Sequence, residues 1–337
     1  MDKVLLPGPL ALFGSGEMDS SGRRVHELLV KSFPAPVKIV LVTTPAGFEA
    51  SPDFWYAKLR QFLIKSLANF KPQITLTNKK LPEKVDYVHA GAGSPTYAAR
   101  VFKNSPLWQE MIKRWQQGAA LSLASASALA AGRFVLPVYE IYKAGEDLHW
   151  QPGLDLFSRF GLNLTIVTHW NNREGGRDID TSRCFMGQNR WRKLLKLLSK
   201  STTIVGIDEL TALIFWLDRK IISVSGKGQV TLINQSRKIK LAAGKYYHLN
   251  TLKTLKIIPS VVPKMSQPIL KPLTLLPASI RRIVTDRELA RKKKDFKLAD
   301  KLRQKLLRLG YDVRDSANLQ LEVYNMDHEN FGRRRRV

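Results

Sequence analysis

Ser125 lies in Leu121–Gly132, LSLASASALAAG, where an apolar run of strand-compatible residues gives way to small residues and then to helix formers. The small residues carry three hydroxyls, Ser122, Ser125 and Ser127. In α/β hydrolytic enzymes a serine on a sharp strand-to-helix turn exposes its oxygen near the helix N-terminus, ready to attack a carbonyl. A hydroxyl needs a base within hydrogen-bond reach, and the base needs a third group to orient it. Of six histidines, His169 stands at the end of the aliphatic run Leu164–Thr168. Glu209, with Asp208 beside it, stands at the end of Thr203–Ile207. Hydroxyl, imidazole and carboxylate at three strand ends are the parts needed for acyl transfer. Taken singly, each has a plainer use: a close-packed Ala/Ser helix, a solvated histidine, an acid capping a helix.

Positioning those groups falls to the elements around them. Pro9–Phe13 reads as a short buried strand that runs into Gly14, Ser15 and Gly16 before a helix over about Asp19–Phe33. Val37–Thr43 is an unbroken aliphatic run, as in strands covered on both faces. A helix over Pro52–Phe70 follows, then strands at Ile74–Thr77 and Val85–His89, the latter leading into Ala90–Gly93 and a helix from about Pro95. This alternation predicts an α/β domain with a doubly wound, mostly parallel sheet and helices on both faces. Ligands of such sheets bind beyond the carboxyl ends of the strands, so Gly14–Gly16, Gly91–Gly93 and Ser125 should converge, with His169 at a strand end of the same sheet. Neither glycine turn completes a dinucleotide fingerprint. Ser225–Gly228, SGKG, lies between the strand patterns Ile221–Ser225 and Gln229–Ile233 and reads as a hairpin turn. Asn171–Gly187 is polar, irregular and arginine-rich, a working loop rather than a linker. Arg190–Lys200 reads as a basic amphipathic helix.

With 337 residues the chain has length for two domains. A formal net charge of +27 points to an acidic partner: nucleic acid, an anionic membrane face or a carboxylate-rich substrate. Cys184 is the one cysteine, which excludes an intrachain disulfide and a cysteine-based zinc cluster and fits a reducing compartment. The apolar N-terminus is broken by two prolines and reads as a first strand, not a signal peptide. No apolar run has the length of a bilayer span. The expectation is a cytoplasmic protein with no membrane partner, and no cofactor or metal is invoked. By composition, residues 1–250 form the α/β domain, 251–280 a proline-rich linker, 281–325 a small helical module and 326–337 a basic tail ending in Arg333–Arg336. In the module an apolar stripe of Ile283, Leu289, Phe296, Leu298, Leu302, Leu306 and Leu309 flanks the cations Arg291, Lys292, Lys293 and Lys294.

The order of glycine turn, small-residue serine elbow, strand-end histidine and GIDE-T-A resembles the cyanophycinase and aspartyl dipeptidase family of serine peptidases, whose fold is the class I glutamine amidotransferase-like one. Ser125–Ala128, SASA, corresponds to the family's SAGA elbow. Val167–His169 corresponds to its DQH strand end, and Gly206–Ala212 to its GIDE-T-A. The resemblance spans roughly Leu10–Ile233 and implies Ser125 as nucleophile, His169 as base and Glu209 as orienting acid. Backbone N–H groups of Ala126 and Gly93 would form the oxyanion hole. The loop arginines Arg173, Arg177 and Arg183 are then candidates to pair with a carboxylate on a peptide or amide substrate. Leu123 and Ser127 stand where a GxSxG elbow has glycines, so the turn must be made by residues with side chains.

Thr285–Ser316, TDRELARKKKDFKLADKLRQKLLRLGYDVRDS, is similar to the end of bacterial cysteinyl-tRNA synthetases. Synthetase activity is not implied, since the chain has no HIGH signature and no zinc-ligating cysteines. What is implied is an accessory module that faces tRNA or another RNA, its cations meeting phosphates without sequence choice. Two functions follow as expectations: a Ser-His-Glu hydrolase working through an acyl-enzyme, or a catalytically degenerate amidotransferase-like protein that binds RNA. Oligomeric state is not indicated.

Overall fold

The first strand already shows a two-sided sheet, because Leu10 and Leu12 join one hydrophobic core while Ala11 and Phe13 join another. The protein is described by a computed structural model, covering residues 7–260, 269–270, 278–293, 295–309, 311–315 and 321–325. It divides into two units, Met1–Ser260 and Val261–Val337.

In the first unit, β1 (Leu10–Phe13), β2 (Lys38–Val42), β3 (Gln73–Thr77), β4 (Tyr87–Ala90) and β5 (Ala120–Ala124) are parallel and lie side by side in the order β1-β5-β4-β2-β3. Short β6 (Phe134–Val135) and β7 (Gln151–Pro152) pair with each other. The later strands are β8 (Leu164–Val167), β9 (Thr203–Ile207), β10 (Thr211–Trp216), β11 (Ile221–Gly226), β12 (Gln229–Ile233), β13 (Lys238–Ala242) and β14 (Tyr246–His248). Helices α1 (Ser20–Val30) and α2 (Pro52–Ser66) cover one sheet face with Val25, Leu29, Tyr56 and Leu63. Helices α3 (Pro95–Phe102), α4 (Pro106–Gln116) and α5 (Ala126–Ala130) contribute Phe102, Met111, Trp115 and Leu129 to the core on the other. Three further helices, α6 (Val138–Tyr142), α7 (Gly187–Lys196) and α8 (Thr251–Thr254), complete the unit.

The sheet departs from the expected one in a way that matters for the site. Beyond β1 it continues through β10, β11 and β14, each antiparallel to its neighbour. The sequence reading has no strand at Thr211–Trp216, although its first five residues are buried. β8 and β9 do not belong to this sheet. They pair in parallel in a second, four-stranded sheet of order β13-β12-β9-β8, so His169 and Glu209 come from a different sheet than Ser125. Ser225–Gly228 is not a hairpin turn, because β11 and β12 are not partners. It carries the chain from the first sheet to the second, with Gly226 at φ 130 and the Gly228 N–H given to the Thr211 hydroxyl. The proposed linker also starts later than its composition indicates: Thr251 and Leu252 are fully buried, and Tyr247 bridges to Pro259.

The second unit holds β15 (Ile269–Leu270), α9 (Ala278–Lys292), α10 (Phe296–Arg308), β16 (Tyr311–Asp315) and β17 (Leu321–Asn325), with β17 antiparallel to both other strands. The helical pair matches the expectation, but its buried face does not. Of the stripe, Leu306 is buried and Ile283 and Leu302 are half-buried, but Leu289, Phe296, Leu298 and Leu309 are exposed, and Ile280, Val284, Ala290 and Ala299 take buried places instead. The cause is the break at Asp295, whose carboxylate accepts from Leu298 N–H (3.0 Å) and starts a new helix. A single periodic stripe cannot run through that break. Residues 326–337, the expected basic tail, lie outside the described residues.

Candidate active site

Every residue of β5 is buried, and the strand delivers Ser125 into a turn with φ 47° and ψ −111°. An L-residue is held there at a cost of about 1–3 kcal/mol, so its surroundings must over-determine it. The Ser125 N–H donates to Phe13 C=O (3.1 Å), and its own C=O accepts from Leu129 N–H (3.0 Å). The missing elbow glycines do not prevent the turn. Leu123 is fully buried in the core, and the Ser127 hydroxyl donates to Gly91 C=O (2.6 Å), tying the elbow to the glycine turn. Ser122 is likewise bonded, its hydroxyl 2.6 Å from Tyr87 OH and 2.7 Å from His89 Nδ1. His26 Nδ1 reaches the same tyrosine at 2.7 Å. Burial pulls both imidazoles down, His26 to about 4 and His89 to about 3, so this layer beneath the elbow is neutral at pH 7.

His169 and Glu209 are held by side chains more than by strand pairing. Gly206 in β9 lets Trp170 pack against the backbone; a Cβ there would come within 2.3 Å of the indole. Trp170 N–H donates to Ile207 C=O (3.0 Å), which fixes the chain just after His169. His169, at φ 48°, turns its imidazole so that Nε2 is 2.9 Å from Ser125 Oγ and Nδ1 is 3.2 Å from Glu209 Oε1. The same oxygen accepts from Asn172 Nδ2 (3.0 Å), and Glu209 N–H donates to Asn171 Oδ1 (2.7 Å). Leu210, at φ 54°, gives its N–H to the Ser15 hydroxyl (3.1 Å). Hydrogen bonds from His169 and then Asn172 hold the Glu209 carboxyl below its ordinary value, against the opposing effect of burial. A carboxylate at Glu209 accepts a hydrogen bond from Nδ1–H, and that tautomer leaves the Nε2 lone pair facing the serine hydroxyl. Asp208 is engaged elsewhere, accepting from Gln229 N–H (3.0 Å), and burial raises its carboxyl.

A cavity of about 350 Å³ opens beside Ser125, bounded by Gly91–Gly93, Glu17, Glu49, Trp55, Tyr56 and Tyr139. Gly93 has φ 150°, and a Cβ would meet Pro45 O at 2.0 Å, so only glycine lets the turn pass there. Ala126 N–H lies in the first turn of α5, where helix N–H groups have no intrahelical acceptor. The glycine turns and the elbow thus converge as the fold requires. None of Arg173, Arg177 and Arg183 lines this cavity. Arg173 and Arg177 are exposed, and Arg183 donates to Trp170 C=O (2.9 Å) with its guanidinium 4.3 Å from the indole centroid. Cys184 is buried and its thiol is pushed up to about 12 by that burial, which removes it as a nucleophile. Asn171, Asn172, Glu17 and Ser15 escaped the sequence reading of the site, although the two asparagines follow His169 within three residues. Arg291 and Lys293 lie at the end of α9, with Lys293 exposed; the side chain of Lys292 and all of Lys294 fall outside the described residues. Among the described residues no group of three or more His, Cys, Asp or Glu side chains could hold a metal, and no helix is long and apolar enough to cross a membrane.

The α/β fold of the chain recurs in a solved peptidase from an acI-B1 Actinobacterium. That structure shares 20% identity at a TM-score of 0.57, over 73% of this chain and 98% of the other. A weaker likeness, at 12% identity and TM-score 0.42, is to a candidate Peptidase E of Listeria monocytogenes EGD-e, over 69% and 98% of the two chains. Residues 274–320 match the family model of the Cysteinyl-tRNA ligase anticodon binding domain. No curated protein matches by sequence.

Proposed function

We propose that the first unit is a serine-type hydrolase that cleaves a peptide or amide bond. The observation that carries this reading is the 2.9 Å contact between Ser125 Oγ and His169 Nε2, made by a serine on a strained strand-to-helix turn. Ser125 gives its proton to Nε2 as Oγ bonds to the scissile carbonyl carbon, and Glu209 stabilises the imidazolium through Nδ1–H. The N–H groups of Ala126 and Gly93 receive the oxyanion; one such donor is worth roughly 3 kcal/mol in a comparable site. Collapse breaks the C–N bond, Nε2–H protonates the departing amine, and an acyl-Ser125 ester remains. Water attacks that ester with its proton going to Nε2, and the proton returns to Ser125 as the acid leaves. A fluorophosphonate probe tests the assignment: the native protein should be labelled at Ser125, and Ser125→Ala and His169→Ala should not. An unlabelled native protein, or an equally labelled Ser125→Ala, overturns it.

A second reading concerns the other unit and draws on the anticodon-binding family match and the +27 charge. In it the cations at the end of α9 bind tRNA phosphates. Filter binding over a salt series should show affinity falling steeply with salt, and replacing Arg291, Lys292, Lys293 and Lys294 by Glu should flatten the slope. A slope near zero, or one untouched by the replacement, counts against it.

A further inference from the structure

Charge is unevenly shared within the first unit. Residues 1–180 hold 21 Lys and Arg against 16 Asp and Glu, whereas residues 181–260 hold 15 against three. Two of those three acids, Asp208 and Glu209, are engaged by the Gln229 N–H and by His169. The fold gathers the cations onto one surface. Trp191 and Leu194 of α7 are buried, and the Trp191 ring lies 4.9 Å from that of Trp170, which packs on Gly206 of β9, so α7 covers that face of the second sheet. Arg192, Lys193 and Lys196 of α7, and Lys200 just beyond it, are exposed. Gly206 pairs with Thr231 and Thr231 with Lys240, and side chains directly opposite in a sheet share a face, so Lys238 and Lys240 of β13 stand on the face that α7 covers. Gln235 Nε2 donates to Leu198 C=O (2.6 Å), which joins the turn before β13 to the end of α7.

Among the described residues, none of Arg192, Lys193, Lys196, Lys200 and Lys238 makes an ion pair; the pairs formed by Lys and Arg of this region are Arg219–Asp218 and Lys227–Asp19. Lysines on an edge strand discourage pairing with a further strand, which accounts for Lys238 and Lys240 but not for the cations of α7. A helix lying on a membrane presents an apolar face to it, yet the apolar face of α7 is buried against the sheet, and of residues 187–200 only Leu197 exposes a large apolar side chain. Single-stranded nucleic acid stacks its bases on accessible aromatic rings, and here Trp170 and Trp191 are buried. Unpaired cations without apolar or aromatic surface fit the phosphates of a double helix, which ask for charge alone.

We propose that α7 and β13 form a phosphate-binding surface on the first unit, which seats double-helical nucleic acid without reading its sequence. The surface belongs to a different unit from the cations of α9, and it depends neither on them nor on the hydrolase reading. Arg173 and Arg177, exposed in the loop that leads into α7 and absent from the Ser125 cavity, carry the same sign.

Fluorescence anisotropy of the full chain with labelled RNA and DNA duplexes, over a salt series, tests the surface. Each lysine that neutralises a phosphate adds about one to the slope of log affinity against log salt. Replacing Lys193, Lys196, Lys200 and Lys238 by Gln should therefore flatten the slope by about three to four and weaken binding at low salt at least about tenfold. Replacing Lys65, Lys79, Lys80 and Lys84 by Gln, the same loss of charge on α2 and after β3, should change the slope by less than about one. All of these lysines are exposed, so the melting temperature should hold in both variants. Equal flattening by the two sets overturns the proposal, because net charge alone then accounts for binding. So do a native protein that binds neither duplex, tighter binding of a single strand of the same length, and capture by phosphatidylserine vesicles in place of duplex. Replacing Arg291, Lys292, Lys293 and Lys294 keeps the readings apart. A loss there with none at α7 and β13 leaves only the reading of the second unit, and the converse leaves only this one.

Discussion

Ser125 and the His169–Glu209 pair meet within hydrogen-bond distance, but they are held by different means. Ser125 is placed by backbone: a fully buried strand on one side, a helix on the other, and hydrogen bonds to Phe13 and Leu129 between. The chain leaves the second sheet at positive φ, at His169 itself and at Leu210 after Glu209; Asn171, Asn172 and Ser15 then fix the Glu209 segment, and Glu209 bonds the imidazole. A backbone-held group tolerates little change in the strands beneath it and is indifferent to its polar neighbours. A group aimed by side chains is adjustable, and each aiming residue can be removed separately. The contrast explains how the elbow forms without flanking glycines. Packing and the Ser127–Gly91 hydrogen bond supply the constraint that glycine would otherwise make unnecessary.

The largest effect that would sharpen this contrast is expected at Glu209. Glu209→Gln keeps the size of the side chain and removes the acceptor charge, so the imidazole loses the tautomer that presents Nε2 to the serine. The rate of acylation should fall roughly 10²–10⁴-fold with little change in KM and no loss of folding. An unchanged rate in single-turnover labelling would break the comparison at its acid. Next in size is an acid sensitivity confined to the Ser125 side, where His26 and His89 lie buried and neutral. The unfolded chain takes up protons at both positions below about pH 6.5, while the folded protein takes them up only near pH 4 and pH 3. Stability is therefore full above pH 6.5, declines as pH falls through this window, and levels off beneath it. From His26 alone the loss amounts to ~3 kcal/mol, read as a falling urea midpoint between pH 7 and pH 4. A flat midpoint across that range would contradict it. The smallest effect belongs to Asn172, whose side chain holds Glu209 and bonds neither Ser125 nor the His169 ring. Asn172→Ala should slow acylation by about tenfold at unchanged stability, through a looser carboxylate. If Asn172→Ala matched Glu209→Gln in size, the asparagine would be more than an aiming residue.

The alternation of buried strands and helices from Leu10 to Ala124 was legible in the sequence, because strands covered on both faces are unbroken aliphatic runs and the glycine turns mark their ends. Ser125, His169 and Glu209 each stand directly after such a run, which is what marked them as candidates. The helix Pro106–Gln116 carries an apolar stripe of Leu107, Trp108, Met111, Ile112 and Trp115, a pattern present in the sequence alone. Strand partnership was not legible. Nothing local tells β8 and β9 to leave the parallel sheet, or β10 to pair antiparallel with β1, because an aliphatic run satisfies any neighbour whose register buries it.

The sequence by itself thus determined which residues are candidates for the chemistry, through their types and their places after buried runs. Only the tertiary structure decided that two sheets bring them together, that Asn172 donates to Glu209, and that the space beside Ser125 is acidic. Glu17 and Glu49 are 32 positions apart, with a strand between them. The sign of a cavity is a sum over side chains that the fold alone makes neighbours, and it can oppose the net charge that composition reports.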